Sequence, residues 1–128
     1  MGYRVLIVDD SPVLRIMMQE MLESLGHQIV AEAGSGEAAL NAYRANKPDL
    51  VTLDISLPDM NGLEVLEKMR RIDPSANVLI VTGNNQKEIE RRATALRALG
   101  VLHKPFDEED LTALLEKVAA RMRSRPTT

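Results

Sequence analysis

Five short apolar runs, each followed by a helical pattern, constrain the fold of this chain more than any other feature. The apolar runs cover residues 4–8, 28–32, 50–54, 77–81 and 100–103, and the helical patterns follow at 12–25, 37–46, 63–72, 86–99 and 108–122. Near-continuous apolar runs are typical of parallel strands that helices cover on both faces. The alternation therefore predicts an α/β fold with three layers, in which a five-stranded parallel sheet lies between helices.

The first and fourth helical patterns differ in strength. Ser11 can cap the first helix, and Gly26 ends it. Its apolar stripe contains Met17, Met18 and Met21, which we expect to fill the core rather than to form a groove for a partner. The fourth pattern is only weakly amphipathic, so we expect this helix to be mobile.

Length and composition exclude several classes of protein. A chain of 128 residues is about the size of one domain, which we assign to residues 1–122, with 123–128 as a flexible tail. The net charge of −3 does not indicate a nucleic-acid surface, and the absence of cysteine excludes disulfides and thiol chemistry. The first apolar run is too short for a signal peptide and no segment is long enough to span a membrane, so we expect a cytoplasmic protein.

Polar side chains stand where the predicted strands end. Asp9 and Asp10 follow the first strand, Asp54 ends the third, Thr82 follows the fourth and Lys104 follows the fifth. The carboxyl ends of parallel strands share one edge of the sheet, which is where open α/β sheets bind their ligands. A single aspartate in this position often only caps a loop, but five such groups at four strand ends indicate a site.

These groups together suit the transfer of a phosphoryl group. Neighbouring carboxylates repel one another by about 4 kcal/mol at a surface-like dielectric, which protonation, the ammonium of Lys104 or a hard divalent cation can offset. A few oxygen ligands with open positions suit Mg²⁺. With its charge masked, the carboxylate of Asp54 can attack phosphorus and form an acyl phosphate, while Lys104 and Thr82 supply donors to the transferred group.

The same motifs resemble those of the response-regulator receiver domain, and the chain is similar in size to the stand-alone chemotaxis type. The resemblance extends over the whole chain and rests on Val-Asp-Asp-Ser at 8–11, Pro58, Met60 and Gly62 after Asp54, Val-Thr-Gly at 81–83, and Lys-Pro-Phe at 104–106. It implies a flavodoxin-like fold with strand order 2-1-3-4-5. It also implies phosphorylation-dependent signalling in a two-component system.

The resemblance further implies a role for each site residue. Asp54 would be the phosphoacceptor, and Thr82 and Lys104 would contact the phosphoryl group. Asp54 would also belong to the Mg²⁺ site. Asp10 would bind the ion directly, Asp9 would bind it mainly through water, and the backbone carbonyl of Ser56 would complete the protein's ligands. The bond between Lys104 and Pro105 would be cis.

Expected partners and activity follow from the same resemblance. The phosphodonor would be a phosphohistidine on a sensor histidine kinase or phosphotransfer protein, and the phosphorylated form would bind an unknown downstream protein. Arg91, Arg92 and Val101 are candidates for that docking surface. We expect no binding to nucleic acid or membrane, a monomer or weak dimer, and no enzymatic activity beyond the chain's own phosphotransfer and dephosphorylation.

Two positions depart from the family pattern. Val101 stands where an aromatic residue is usual, so we expect signalling through the loop after Thr82 and the fourth helix. Arg97 stands where a glycine often ends the fourth helix. The small polar residues Ser56 and Asn84 should admit water, which predicts an acyl phosphate of ordinary lifetime.

Three other interpretations of the chain stay open on the residues alone. A Mg²⁺-dependent aspartyl-phosphate phosphatase uses similar chemistry, but it has a second aspartate as general acid where this chain has Ser56. A flavin-binding module of the same fold would need aromatic rings to stack on the flavin, and the chain has one Phe, two Tyr and no Trp. The chain could also be the N-terminal receiver of a longer regulator.

Overall fold

A five-stranded parallel sheet forms the centre of the molecule. The computed structural model describes residues 2–122. The strands are β1 (Arg4–Val8), β2 (Gln28–Ala33), β3 (Leu50–Asp54), β4 (Val78–Thr82) and β5 (Gly100–His103). They lie in the order β2-β1-β3-β4-β5, and every neighbouring pair is parallel. The predicted fold class and strand order are confirmed.

Helices cover both faces of this sheet. They are α1 (Pro12–Ser24), α2 (Gly36–Asn46), α3 (Gly62–Ile72), α4 (Lys87–Ala95) and α5 (Glu108–Val118), and a 3₁₀ turn follows at Ala119–Arg121. One core cluster joins α2, α3 and α4 to the sheet, and a second joins α1 and α5 to the opposite face. The three predicted layers are therefore present, and each face has its own apolar core.

Local capping fixes where the helices that flank the site begin. The hydroxyl of Ser11 accepts a hydrogen bond from the Leu14 N–H at the start of α1 (3.2 Å). Ser35 does the same for the Ala38 N–H at the start of α2 (3.1 Å). Each cap satisfies a backbone donor that has no partner within the helix, so these sequence positions determine where the chain turns from loop to helix.

The predicted fourth strand was displaced by one residue. The apolar run suggested 77–81, whereas β4 spans Val78–Thr82. The side-chain amide of Asn77 donates to the backbone carbonyl of Asp49 (3.1 Å), and the Asn77 carbonyl accepts from the Val51 N–H of β3 (2.9 Å), so Asn77 lies just before the strand. The shift makes Thr82 the last residue of β4.

The predicted fourth helix was too long, because α4 ends at Ala95 rather than near Leu99. Arg97 has φ 63°, in the left-handed region. Its N–H donates to the Thr94 carbonyl, and the Ala98 N–H donates to the Ala93 carbonyl, both over 2.9 Å. These two bonds form a Schellman motif, in which an arginine occupies the position that glycine usually takes.

Two expectations concern the C-terminal tail and the absence of a membrane-spanning segment. The proposed flexible tail at 123–128 lies outside the described residues. Within residues 2–122, every helix is too short or too polar to cross a membrane.

Candidate functional site

The carboxyl ends of four strands build one site. Asp9 follows β1, Asp54 ends β3, Thr82 ends β4 and Lys104 follows β5. Asp9, Asp54 and Thr82 are buried, whereas Asp10 is exposed. Because the strands are parallel, side chains far apart in the sequence meet at this edge.

Three carboxylates meet at the centre of the site. Asp9, Asp10 and Asp54 each place one carboxylate oxygen within 4.8 Å of the other two. Hard oxygen ligands of this kind suit a small divalent cation. Because Asp10 is exposed, the cation could keep part of its own water shell. The predicted ligands Asp9, Asp10 and Asp54 therefore form a group that could bind a metal ion.

The ammonium of Lys104 joins the two buried carboxylates. Its Nζ lies 3.1 Å from Asp54 Oδ2 and 3.3 Å from Asp9 Oδ2. Burial lowers the pKa of Lys104, but the hydrogen bonds and charges of Asp54 and Asp9 outweigh that effect, and the pKa lies above its usual value. Lys104 therefore stays charged and offsets part of the repulsion among the carboxylates.

The carboxylate of Asp54 is held from both sides. The Ser56 N–H donates to its Oδ1 (3.1 Å), and Lys104 donates to its Oδ2. Burial raises the pKa of Asp54, and these two donors lower it only in part, so that the pKa stays above the usual value. Its ionised form therefore depends on the charge of Lys104 or of a cation.

Thr82 occupies the neighbouring strand end, but its hydroxyl is turned toward the following loop. Thr82 Oγ1 accepts a hydrogen bond from the Asn84 N–H (2.9 Å). Its backbone carbonyl accepts from the Lys104 N–H (2.8 Å). The ends of β4 and β5 are thus tied together.

The structure also gives the position of two residues whose roles came from family resemblance. Ser56 directs its N–H to Asp54, while the proposed role of its carbonyl as a metal ligand stays a prediction. The peptide bond between Lys104 and Pro105 is cis, as predicted.

A cavity beside the site was missed by sequence reasoning. It has a volume of about 300 Å³ and lies between α1 and the loop after β5, with Asp9, Lys104 and Phe106 among its lining residues. Met18 is buried as predicted, but Met17 is 46% exposed and borders the cavity. The prediction that all three methionines fill the core is therefore wrong for Met17, because periodicity does not show how far a helix is rotated over the sheet.

Asp59, in the loop after Asp54, was also missed. Its carboxylate accepts hydrogen bonds from the Gly36 N–H (2.8 Å) and the Glu37 N–H (3.0 Å) at the start of α2. These donors hold the pKa of Asp59 below its usual value. The loop that follows Asp54 is therefore bound to the start of α2. The only signal of this contact in the sequence is that residue 59 is acidic, because acidic groups are favoured near the start of a helix.

Comparison with known proteins agrees with this geometry. The sequence profile of the response regulator receiver domain matches residues 5–116. Chemotaxis protein CheY of Thermotoga maritima is 34% identical over 119 residues, which cover 93% of this chain and 99% of that protein. Sporulation initiation phosphotransferase F of Bacillus subtilis is 34% identical over 117 residues, covering 91% and 94% of the two chains.

A solved structure adds the same evidence in three dimensions. The CheX-CheY-BeF₃-Mg complex of Borrelia burgdorferi contains a chain that matches with a TM-score of 0.89 and 28% identity, over 91% of this chain and 89% of that chain. The protein belongs to the response-regulator receiver domain family. It is a phosphorylation-dependent signalling module of the two-component type, with CheY-like relatives.

Proposed function

We propose that Asp54 accepts a phosphoryl group from a phosphohistidine and that Asp9, Asp10, Asp54 and the Ser56 carbonyl bind the Mg²⁺ this reaction needs. One observation carries the proposal. The buried carboxylate of Asp54 lies within 4.8 Å of two further carboxylates and 3.1 Å from the Lys104 ammonium. Such a carboxylate can share a cation with its two neighbours and is restrained by a donor.

The transfer forms one bond and breaks one bond. A carboxylate oxygen of Asp54 attacks the phosphorus, and the bond from phosphorus to the donor's imidazole nitrogen breaks, with its electron pair left on that nitrogen. Bound Mg²⁺ would neutralise charge on the phosphoryl oxygens. Lys104, released from Asp54 as the acyl phosphate forms, would pair with a phosphoryl oxygen.

Thr82 would connect phosphorylation to signalling. Its hydroxyl would exchange the Asn84 N–H, 2.9 Å away, for a phosphoryl oxygen. This exchange would free the loop before α4 and shift the populations of two conformations. Val101 occupies the usual aromatic position, so the loop and α4 would carry the change without an aromatic rotamer.

The chain would act on no substrate besides its own acyl phosphate. The general acid of the alternative phosphatase class would stand at position 56, which is a serine, and this weighs against that class. Ser56 is exposed, as is Asn84, so water should reach the phosphoryl group and give the acyl phosphate an ordinary lifetime.

The phosphodonor would dock on α1. Three large apolar side chains are exposed on its surface, Val13 (65%), Ile16 (53%) and Met17 (46%), and Met17 borders the cavity beside Lys104. An apolar patch next to a reactive group suits a helical partner that brings its phosphohistidine to Asp54. The downstream protein would use the separate surface of α4 and β5, with Arg91, Arg92 and Val101.

Two further predictions concern the location of the protein in the cell and its oligomeric state. A cytoplasmic location and a monomeric or weakly dimeric state stay predictions. Both can be checked on the native chain, by cell fractionation and by sedimentation with and without phosphorylation.

Intact mass spectrometry tests the central proposal. The protein is incubated with acetyl phosphate and Mg²⁺, with a chelator as one control. We expect one added phosphate in the wild type and none in Asp54→Asn. Asp49→Asn, which removes a carboxylate at the opposite end of β3, should still be phosphorylated. An adduct that persists in Asp54→Asn would place the phosphate elsewhere and overturn the assignment.

A further inference from the structure

Arg15, on α1, reaches the acidic turn from outside the site. We propose that Arg15, held by Glu32, is a positioning residue that fixes the peptide between Asp9 and Asp10 and thereby strengthens binding of the divalent cation. This inference rests on the metal site described under the proposed function.

The guanidinium group of Arg15 joins the turn after β1 to β2. Its Nη1 donates to the backbone carbonyl of Asp9 (2.6 Å), and its Nε donates to Glu32 Oε1 on β2 (3.2 Å). The bare glycine at position 34 leaves room for it, because a Cβ there would lie 3.2 Å from Nη1. Two directed hydrogen bonds from one planar group define its orientation, which a single ammonium could not reproduce.

The carbonyl that Arg15 binds belongs to the peptide that leads into Asp10. In a planar trans peptide the C=O and the following N–H point in opposite directions, so a fixed carbonyl also fixes the start of the next residue. The other polar groups of Asp9 are already engaged by the Ala33 carbonyl, the Ser11 N–H and Lys104. Asp10 is exposed, and its carboxylate is therefore positioned mainly through the backbone that carries it.

Electrostatics alone predicts the opposite effect on cation binding. A positive charge beside three carboxylates repels a cation, so its removal would strengthen binding if charge were the main contribution of Arg15. Loss of a group that orients a metal ligand weakens binding, commonly by tenfold or more. The sign of the change in affinity thus distinguishes positioning from charge.

A Mg²⁺ titration followed by NMR amide shifts tests the inference without any phosphodonor, and the amide spectrum shows whether each variant is folded. We expect Arg15→Met to weaken Mg²⁺ binding roughly tenfold. Arg15→Lys keeps the charge but only one hydrogen bond, and should recover only part of the affinity. Arg71→Met is the matched control, because Arg71 forms an exposed ion pair with Glu67 on α3 and should leave the affinity unchanged.

Glu32→Gln provides a second test that leaves Arg15 in place. It weakens the hold on the guanidinium group and should lower the Mg²⁺ affinity about threefold, which is less than the effect of losing Arg15 itself. If Arg15→Met does not fold, Arg15→Lys decides, because it keeps the positive charge and a weaker affinity then reflects the lost hydrogen bond, whereas Glu32→Gln also removes a negative charge. Unchanged or tighter Mg²⁺ binding in the folded variants would overturn the positioning role while the metal site stands. Absence of Mg²⁺ binding in the wild type would overturn the metal site and this inference together.

Discussion

The helices α3 and α4 follow the two loops that flank Asp54 and Thr82, and they are anchored very differently. Five of the eleven residues of α3 are buried, and its cap Asn61 accepts a hydrogen bond from the Leu63 N–H (2.7 Å). In α4, of nine residues, Ala93 is the buried one, and Gln86 at its start makes no side-chain capping bond. One side of the site is thus firmly packed, and the other is lightly held.

The contacts of α4 are also unevenly distributed along its length. Arg70 of α3 donates to the carbonyls of Leu96 and Arg97 just beyond its C-terminal end (3.2 and 2.9 Å). Nearer the middle, Glu90 is paired with His103 on β5 (2.8 Å), where both side chains are partly exposed. At the beginning of α4, the Gln86 N–H donates to Asn84 Oδ1 in the loop after Thr82 (2.8 Å), so this end of the helix is tied to that loop. We therefore expect phosphorylation to move that end of α4 while α3 stays in place.

The largest effect should come from removing a core side chain of α3. Leu66 is fully buried, so Leu66→Ala should lower the free energy of unfolding by about 2–5 kcal/mol. Ile89 on α4 is only partly buried, and Ile89→Ala should cost about 1 kcal/mol. Urea denaturation of both variants measures the difference. Equal losses would show that α4 is packed as firmly as α3.

Two glycines offer a second comparison of the two loops. A Cβ at Gly62 would lie 2.6 Å from Ile55 Cα and closer still to the Asp54 carbonyl oxygen, whereas one at Gly83 would meet nothing within 4 Å. Gly62→Ala should lower the stability by about 1–3 kcal/mol through overpacking against backbone. Gly83→Ala should change it by less than about 0.5 kcal/mol. A neutral Gly62→Ala would mean that the loop after Asp54 yields more easily than its contacts indicate.

The end of α4 should tolerate a change that its interior does not. Arg97 has φ 63°, which costs a residue with a side chain about 1–2 kcal/mol, while glycine pays an entropic cost of about 0.5–1 kcal/mol. Arg97→Gly should therefore stabilise the protein by about 0.5–1 kcal/mol. Arg92→Gly, inside the same helix, should destabilise it by about 1 kcal/mol. Thermal unfolding of both variants gives the sign, and a loss of stability in Arg97→Gly would contradict the expectation.

The smallest effect should be a pH-dependent one at Asp59, on the firmly packed side. The Gly36 and Glu37 N–H groups hold the pKa of Asp59 below its usual value, so the folded protein binds this proton less readily than the unfolded chain does. The resulting stability is complete above the ordinary carboxyl pKa of about 3.9 and is lost as the pH falls through the lower folded value.

Asp59→Asn isolates this contribution. The difference in urea midpoint between wild type and variant should be constant near neutral pH and should shrink as the pH falls below about 4. Glu37→Gln, whose side chain is exposed beside the same helix start, serves as the matched control. A difference that grows on acidification would show that the carboxylate of Asp59 does not cap α2.

The fold could be predicted because its signals are local and repeated. Each strand is an apolar run, and Ser11 and Ser35 mark helix starts within one turn of the groups they cap. The site could be predicted for a related reason: parallel strands bring their carboxyl ends to one edge, so that Asp9, Asp54 and Lys104 had to meet.

The rest depends on contacts between distant parts of the chain. The helix α4 ends earlier than predicted because Arg97 adopts a backbone conformation that arginine does not favour. The contacts of Asp59 with α2 and of Arg15 with Glu32 join elements whose relative positions no local pattern encodes. The exposure of Met17 depends on the rotation of α1 over the sheet.

The sequence by itself therefore determined the order and type of the elements, the strand ends that carry the reactive groups, and the family. The tertiary structure alone decided which of those groups touch, how firmly each flanking helix is held, and where the surface leaves a cavity. The physical reason is that hydrogen-bonding propensity and apolar periodicity act within a few residues. Burial, charge pairing and the pKa of Asp54 arise only when separate segments pack together.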